Sequence, residues 1–210
     1  HENHGVKIYL DNGLKEFQGK NSVDKVLCSD GLELEADLVV VGAGVLPNQE
    51  IASNAGLECD NGIMVNEFGE TSDKNVYACG DCTNHPNKSL GTRLRLESVH
   101  NAMEQSKTVA NSIMGNKNPY NQIPWFWSDQ YDHKLQLVGI SGEHDEVILR
   151  GSESEQNFLL FYLRNSKLIA VNAVNSPKEF LISRKLVANK VKISSDVIKN
   201  QSINLNSLLL

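Results

Sequence analysis

The stretch Ala36-Asp-Leu-Val-Val-Val-Gly-Ala-Gly-Val-Leu-Pro-Asn48 constrains the fold more than any other part of the chain. Leu38 to Val41 is apolar with no polar alternation, the pattern of a strand buried on both faces. Such strands belong to sheets covered by helices on both sides, so the expected class is α/β. Gly42 and Gly44 follow directly and let the backbone approach something flat. The turn imitates the start of the dinucleotide fingerprint G-x-G-x-x-G, but its third glycine position holds Pro47. Proline cannot give the close helix–strand packing needed there, so this is not a pyrophosphate loop. An ordinary strand-to-loop turn accounts for the two glycines equally well.

The surrounding elements follow from periodicity. Gly5 to Leu10 alternates and meets a turn at Asp11-Asn-Gly13, which reads as a strand. Val23 to Cys28, the tight turn Ser29-Asp-Gly31 and Leu32 to Leu34 read as a hairpin leading into the buried strand. Ile63 to Val65 and Val76 to Ala78 are short strands. From about Glu97 to Met114, apolar residues at Val99, Ala102, Met103, Val109, Ala110 and Ile113 have helical spacing, and Gly115 supplies the stop. His1 to His4 lacks the H-E-x-x-H spacing and ends a helix already under way at the first residue.

After Pro119 the character changes. Leu135–Ile140, Glu146–Leu149, Phe158–Leu163 and Leu168–Val174 read as a meander, and a helix to about Lys190 opens at Ser176. There Pro177 stands at N1 and Glu179 at N3, which predicts a capping box with Ser176. Charge changes at the same place: residues 1–118 carry 10 Lys+Arg against 17 Asp+Glu, residues 119–210 carry 10 against 9. A separate α+β module from about residue 119 follows.

Composition excludes several classes. With 40% hydrophobic and 22% charged residues, a chain of 210 residues is globular rather than disordered. Its net charge of −6 opposes binding to nucleic acid or to an anionic membrane. The longest apolar stretch, Leu38 to Leu46, is too short to span a bilayer, and no signal peptide precedes Gly5. Four cysteines, at 28, 59, 79 and 82, are too sparse for a disulfide scaffold and point to a reducing cytoplasm. Cys79, Cys82 and His85 form C-x-x-C-x-x-H, compatible with a dithiol centre or part of a zinc site. No second pair completes a tetrahedral metal set and no Trp or Pro frames the dithiol, so the plain expectation is two small buried residues flanking a glycine turn, with no metal.

Three motifs carry chemistry. Val76-Tyr-Ala-Cys-Gly-Asp-Cys82 delivers Gly80 and Asp81 at the end of a short strand, where ligands of α/β sheets collect. Asp81 offers two acceptor oxygens to a sugar-like hydroxyl. Arg95-Leu-Glu-Ser-Val-His100 opens the long helix, whose free N–H groups favour an electron-rich group; His100 itself reads as a satisfied polar residue. Pro124-Trp-Phe-Trp-Ser-Asp-Gln130 holds both tryptophans of the chain and reads either as core or as a platform for a flat cofactor or a partner.

In this order the motifs resemble the C-terminal half of the FAD-dependent ferredoxin reductases, the family of putidaredoxin and rubredoxin reductases, from about Gly5 to Asn206. Arg150-Gly-Ser152 and Asn172 to Phe180 match as well. The resemblance implies an α/β fold made of the end of an NAD(P)-binding domain (1–49), the closing part of an FAD-binding domain (50–118) and a small α+β reductase domain (119–210). It implies that Asp81, with Gly80, meets the ribityl chain of FAD. The helix start at Ser98 and Val99 would meet the pyrimidine edge of the flavin. Gly42, Gly44 and Glu97 would lie near the nicotinamide of NAD(P)H, and Trp127, with Trp125, would shield the flavin and face the partner. The implied partner is an iron–sulfur ferredoxin or rubredoxin serving an oxygenase. Because such partners are acidic, a basic docking face is expected from His85, Lys88, Arg93, Arg95 and Lys107, then Arg184, Lys185, Lys190 and Lys192. Both family fingerprints G-x-G-x-x-G are missing, so the expectation is a fragment that binds FAD weakly and does not turn over alone. The alternatives are a related NADH oxidase or CoA-disulfide reductase, and a non-catalytic protein resembling apoptosis-inducing factor. All readings of the flavin site require Asp81 and Val99 to lie within reach of one molecule, with no packed side chains between them.

Overall fold

The computed structural model describes residues 1–88 and 90–209. The chain forms two compact units, 1–45 and 46–210.

The first unit is built on a three-stranded antiparallel sheet of β1 (Leu14–Gln18), β2 (Lys25–Cys28) and β3 (Glu33–Glu35), in that order. The hairpin at Ser29-Asp-Gly31 forms as its sequence requires. Gly31 takes φ 93°, the Asp30 carboxylate accepts from Leu32 N–H at 2.9 Å, and Cys28 N–H donates to Leu32 O at 2.8 Å. Lys25 pairs with Glu33 across the ladder at 2.8 Å. Two sequence expectations fail here. Gly5 to Leu10 is not a strand; one turn of 3-10 helix at Glu2–His4 stops at Gly5, with φ 82°, and irregular chain follows. Leu38 to Val41 is not a buried strand either: it is irregular, with Leu38 81% and Val40 86% exposed. A strand buried on both faces needs ladder partners, and neither stretch pairs with any described residue, so apolar sequence alone does not hold it extended.

The second unit begins with a short helix, α1 (Glu50–Asn54). It continues into a small sheet in which β4 (Ile63–Met64) pairs parallel with β5 (Thr83–Asn87), and β6 (Thr92–Leu94) lies antiparallel on the other side of β5. Val76 to Ala78 is no strand: Tyr77 makes a single bridge to Glu70. The strand comes later, at β5, where the polar sequence Thr-Asn-His-Pro-Asn carries no apolar pattern to announce it.

The long helix α2 (Val99–Ile113) lies where its spacing predicts, but it buries a different face. Asn101, Gln105 and Ser112 are buried, whereas Val99, Met103 and Ile113 are more than half exposed. The buried face is held by hydrogen bonds. Asn101 Nδ2 donates to Leu96 O at 2.9 Å, Tyr120 Oη donates to Asn101 Oδ1 at 2.8 Å, and Ser112 Oγ donates to Phe68 O at 3.0 Å.

From residue 125 the chain is α+β, with one strand more than the periodicity gave. β7 (Trp125–Gln130), β8 (His133–Gly139), β9 (Glu146–Ser152), β10 (Asn157–Arg164) and β11 (Lys167–Val174) form an antiparallel sheet in the order β7-β8-β11-β10-β9. Alternation on β10 buries Leu159, Phe161 and Leu163. α3 (Pro177–Ala188) covers them with Phe180, Leu186 and Val187, and α4 (Ser195–Lys199) adds Ile198. The predicted capping box does not form. Ser176 Oγ donates instead to Asn157 Oδ1 at 2.6 Å, and Glu179 accepts from Arg150 Nε at 3.0 Å. A buried guanidinium is the stronger claimant on a carboxylate than a neutral backbone N–H.

Candidate functional site

Three pieces of the second unit meet at the N-terminus of α2. The first is the turn carrying Gly80 and Asp81. Gly80 takes φ +85°, a backbone state that glycine adopts without cost, and a Cβ there would lie 3.6 Å from Ala102 Cβ. The turn therefore rests on the first turn of α2. Gly80 N–H donates to Gln105 Oε1 at 2.7 Å, and the hydroxyl of Thr83 stands 2.8 Å from both Gln105 Oε1 and Gly80 O. Asp81, one residue on, is exposed and makes no hydrogen bond or ion pair with any described residue.

The second piece is the helix start. Ser98 is the N-cap, and its Oγ accepts from Asn101 N–H at 3.2 Å. The N–H groups of Val99 and His100 meet no acceptor among the described residues, so two donors at the positive end of a 15-residue helix are open. Val99 is 60% exposed. Glu97 forms an ion pair with Arg95, whose Nε also donates to Asn61 Oδ1 at 3.3 Å.

The third piece is aromatic. The His100 ring lies 5.3 Å from that of Trp125, and Trp125 lies 5.5 Å from Trp127 at an interplanar angle of 34°. Arg184 sits 4.5 Å over the Trp125 ring, and Phe180 packs 6.2 Å from it. Trp127 ends the stack, 44% exposed. His100 Nε2 and Trp125 Nε1 are buried with no hydrogen-bond partner among the described residues, which corrects the expectation of a satisfied His100. Burial lowers the His100 pKa; Glu104 works against this and Arg184 and Lys107 add to it.

The structure thus brings Gly80, Asp81, Ser98, Val99 and Glu97 to one end of α2, with His100 linking that end to Trp125 and Trp127. Gly42 and Gly44 belong to the first unit, in irregular backbone, where Gly44 has φ +91°. Gln105, the last residue of the helix-opening stretch Arg95–Gln105, takes a role that the sequence does not assign it: an ordinary polar residue carries no local sign of contact with the Gly80 turn.

Several expectations about this region fail, the first at His85. It is 2% exposed, edge-on to Tyr120 at 5.2 Å, and so is no part of a basic docking face. Arg93 is likewise occupied, donating to Val65 O at 2.7 Å and Asn84 O at 2.6 Å. Cys79 and Cys82 are also not the buried pair expected, since both are partly exposed and free. Among the described residues no three His, Cys, Asp or Glu side chains stand close enough to hold a metal ion.

His85 gives a pH dependence. Burial, helped by Arg93, pushes its pKa from 6.5 down to about 4. Between those values the unfolded chain binds a proton that the folded chain refuses, so stability is full above pH 6.5 and falls as the pH drops toward 4, by up to about 3 kcal/mol. Urea unfolding at a series of pH values checks this: His85→Leu flattens the acid limb, and parallel curves for the two proteins refute the assignment.

Residues 1–106 match the family described as pyridine nucleotide-disulphide oxidoreductase, and residues 125–209 match the one described as reductase C-terminal. The chain belongs to the pyridine nucleotide-disulphide oxidoreductase family. Within it, the chain is 38% identical over its whole length to the putidaredoxin reductase of Pseudomonas putida, covering 50% of that protein. The ferredoxin reductase for the CYP199A2 system from Rhodopseudomonas palustris superimposes with a TM-score of 0.95 at 37% identity, over 100% of this chain and 52% of that one. The covalent putidaredoxin reductase–putidaredoxin complex gives a TM-score of 0.94 at 37% identity, over 99% and 51%. The chain spans about half the length of the curated relatives it matches. Among the described residues no helix is long and apolar enough to cross a membrane.

Proposed function

We propose that this chain supplies part of the flavin site of an FAD-dependent NAD(P)H:ferredoxin reductase, working in the cytoplasm with a small iron–sulfur ferredoxin or rubredoxin that serves an oxygenase. In this reading residues 1–49 are the end of the NAD(P)-binding domain, 50–118 close the FAD-binding domain and 119–210 are the reductase domain. Bound FAD would supply the means to accept a hydride from NAD(P)H and release its electrons singly to an iron–sulfur centre.

The observation that carries the reading is the pairing of an unpartnered carboxylate with an unpartnered helix start. Gly80 rests on Ala102, so Asp81 stands beside the first turn of α2, the turn that holds the open N–H groups of Val99 and His100. A flavin presents ribityl hydroxyls, which a carboxylate accepts from, and a pyrimidine edge that grows more negative on reduction, which helix N–H groups stabilise. The residues therefore fit the group. Asp81 and Gly80 hold the sugar-alcohol arm, and Ser98 fixes the helix start that Val99 and His100 offer to the ring. Trp125 and Trp127 exclude water from its side.

In the first unit Gly42 and Gly44 are assigned to NAD(P)H; in the second, Glu97 is a further candidate for the nicotinamide and Trp127 is assigned to the partner-facing edge. Lys107 and Arg184 are assigned to the docking face. In the free protein Lys107 is paired with Glu104 at 2.5 Å, an exposed contact that a partner's carboxylate displaces at little cost. The tryptophan stack favours the ferredoxin branch over an NADH oxidase or CoA-disulfide reductase, and reduction of a ferredoxin separates it from a non-catalytic homologue.

Asp81→Ala in the native protein is the test. Loss of a charge-assisted hydrogen bond of about 1.5–3 kcal/mol weakens FAD binding by about 10- to 100-fold in a flavin fluorescence titration. Unchanged FAD affinity rejects the site.

A further inference from the structure

The C-x-x-C pair that brackets Asp81 is left unused by the flavin reading, and its two thiols sit on one tight turn. Cys79 and Cys82 are both free and partly exposed. The chain reverses between them: Gly80 stands at φ +85°, and Thr83 N–H closes the turn onto Gly80 O at 3.0 Å. Cys82 Sγ is folded back to 3.7 Å from the carbonyl oxygen of Cys79, which places it against the backbone that carries the Cys79 side chain. Gln105 and Thr83 pin the turn through Gly80 N–H and Gly80 O. The remaining cysteines are occupied elsewhere. Cys28 is buried in β2, and Cys59 Sγ faces Gln49 O at 4.0 Å.

We infer that Cys79 and Cys82 form a redox-active dithiol whose substrates are small-molecule disulfides. One thiolate attacks the disulfide R–S–S–R, forming a mixed disulfide and releasing one thiolate RS⁻. The second cysteine then attacks the protein sulfur of that mixed disulfide, forming the Cys79–Cys82 bond and releasing the second RS⁻. The two thiol protons pass to the two released thiolates, and two electrons pass from the protein to the small disulfide. Cys82 Sγ lies folded against the Cys79 carbonyl, and desolvation raises its thiol, opposed by a backbone hydrogen bond and aided by Cys79 and Asp81, so Cys82 is assigned the resolving role. A bond across two intervening residues closes a very short loop and gains little from restricting the unfolded chain, so it stays easily reduced and reversible.

The sequence makes the test clean. Trypsin cuts after Lys74 and Lys88, so Cys79 and Cys82 share one peptide, while Cys28 and Cys59 share the peptide 26–74. The full chain is equilibrated in buffers of graded oxidised to reduced glutathione, trapped with N-ethylmaleimide, digested and weighed. The expected result is one transition in which the 75–88 peptide loses both maleimide labels together and becomes lighter by two hydrogens, with no glutathione retained. Cys82→Ser is expected to trap a stable glutathione adduct on Cys79, and Cys59→Ser to leave the transition unchanged. A stable glutathione adduct on the unsubstituted peptide, a bond joining the two peptides, or two labels retained in fully oxidised buffer would each overturn the inference.

Discussion

Arg150→Met lowers the stability of the second unit by about 3–5 kcal/mol, the cost of removing one partner from a buried, hydrogen-bonded charge. The Arg150 side chain is 4% exposed. Its guanidinium joins three parts of the chain that are distant in sequence. Nε donates to Glu179 Oε1 of α3 at 3.0 Å, Nη1 to Ile198 O at 2.9 Å and Asn200 O at 2.8 Å, and Nη2 to Ile203 O at 3.0 Å and, weakly, to Gln201 O at 3.4 Å. Methionine fills the volume and supplies no donor. Asn200 O keeps a bond from Ile203 N–H at 3.1 Å, but the carbonyls of Ile198 and Ile203 lose the donor that Arg150 gave them. The expected signature is a fall in the urea midpoint, with faster hydrogen exchange concentrated between residues 195 and 205. Glu179→Gln is the control. It removes one bond, at a carboxylate whose side chain is 36% exposed, so its effect is much smaller. Equal losses in the two variants would mean that the carbonyl clamp contributes nothing.

That clamp also explains why one helix cap was misread. The sequence Ser176-Pro-Lys-Glu179 carries the spacing of a capping box, and α3 does begin at Pro177. What the spacing lacks is any sign that Arg150, 29 residues upstream, takes the carboxylate. The same division between local and distant information runs through the chain. Elements stabilised by their own pattern are legible: the hairpin at Gly31, the alternating strands from β8 to β11, and the span of α2. Leu38 to Val41 is not, because a doubly buried strand is defined by its neighbours. β5 is not, because its buried side chains are polar and their hydrogen bonds come from elsewhere. The site divides likewise. Gly80, Asp81, Ser98 and Trp127 are visible as motifs. His100 and Gln105 acquire meaning from a ring at 5.3 Å and a turn 25 residues away.

Gln105→Leu is expected to loosen the turn that carries Asp81, and the comparison with Gln105→Glu identifies the cause. The side-chain orientation of Gln105 is fixed by chemistry: Gly80 N–H can only donate, so the atom facing it at 2.7 Å must be the amide oxygen. Thr83 has one hydroxyl proton for two acceptors at 2.8 Å, Gln105 Oε1 and Gly80 O, and retains the second when the first is lost. Leucine therefore strands one buried donor outright and weakens another, a loss of about 1–3 kcal/mol. Glutamate keeps an acceptor at the same reach, so the bonds survive while a charge enters a site that is 5% exposed. If Gln105 acts by holding the turn, exchange of the Gly80 amide quickens strongly in the leucine variant and little in the glutamate variant, even where their overall stabilities are similar. If it acts by filling space, leucine is the milder change and the Gly80 amide stays protected. The second outcome would leave Asp81 without a tie to α2, since Gln105 is the side chain that joins the turn to the helix through both of its hydrogen bonds.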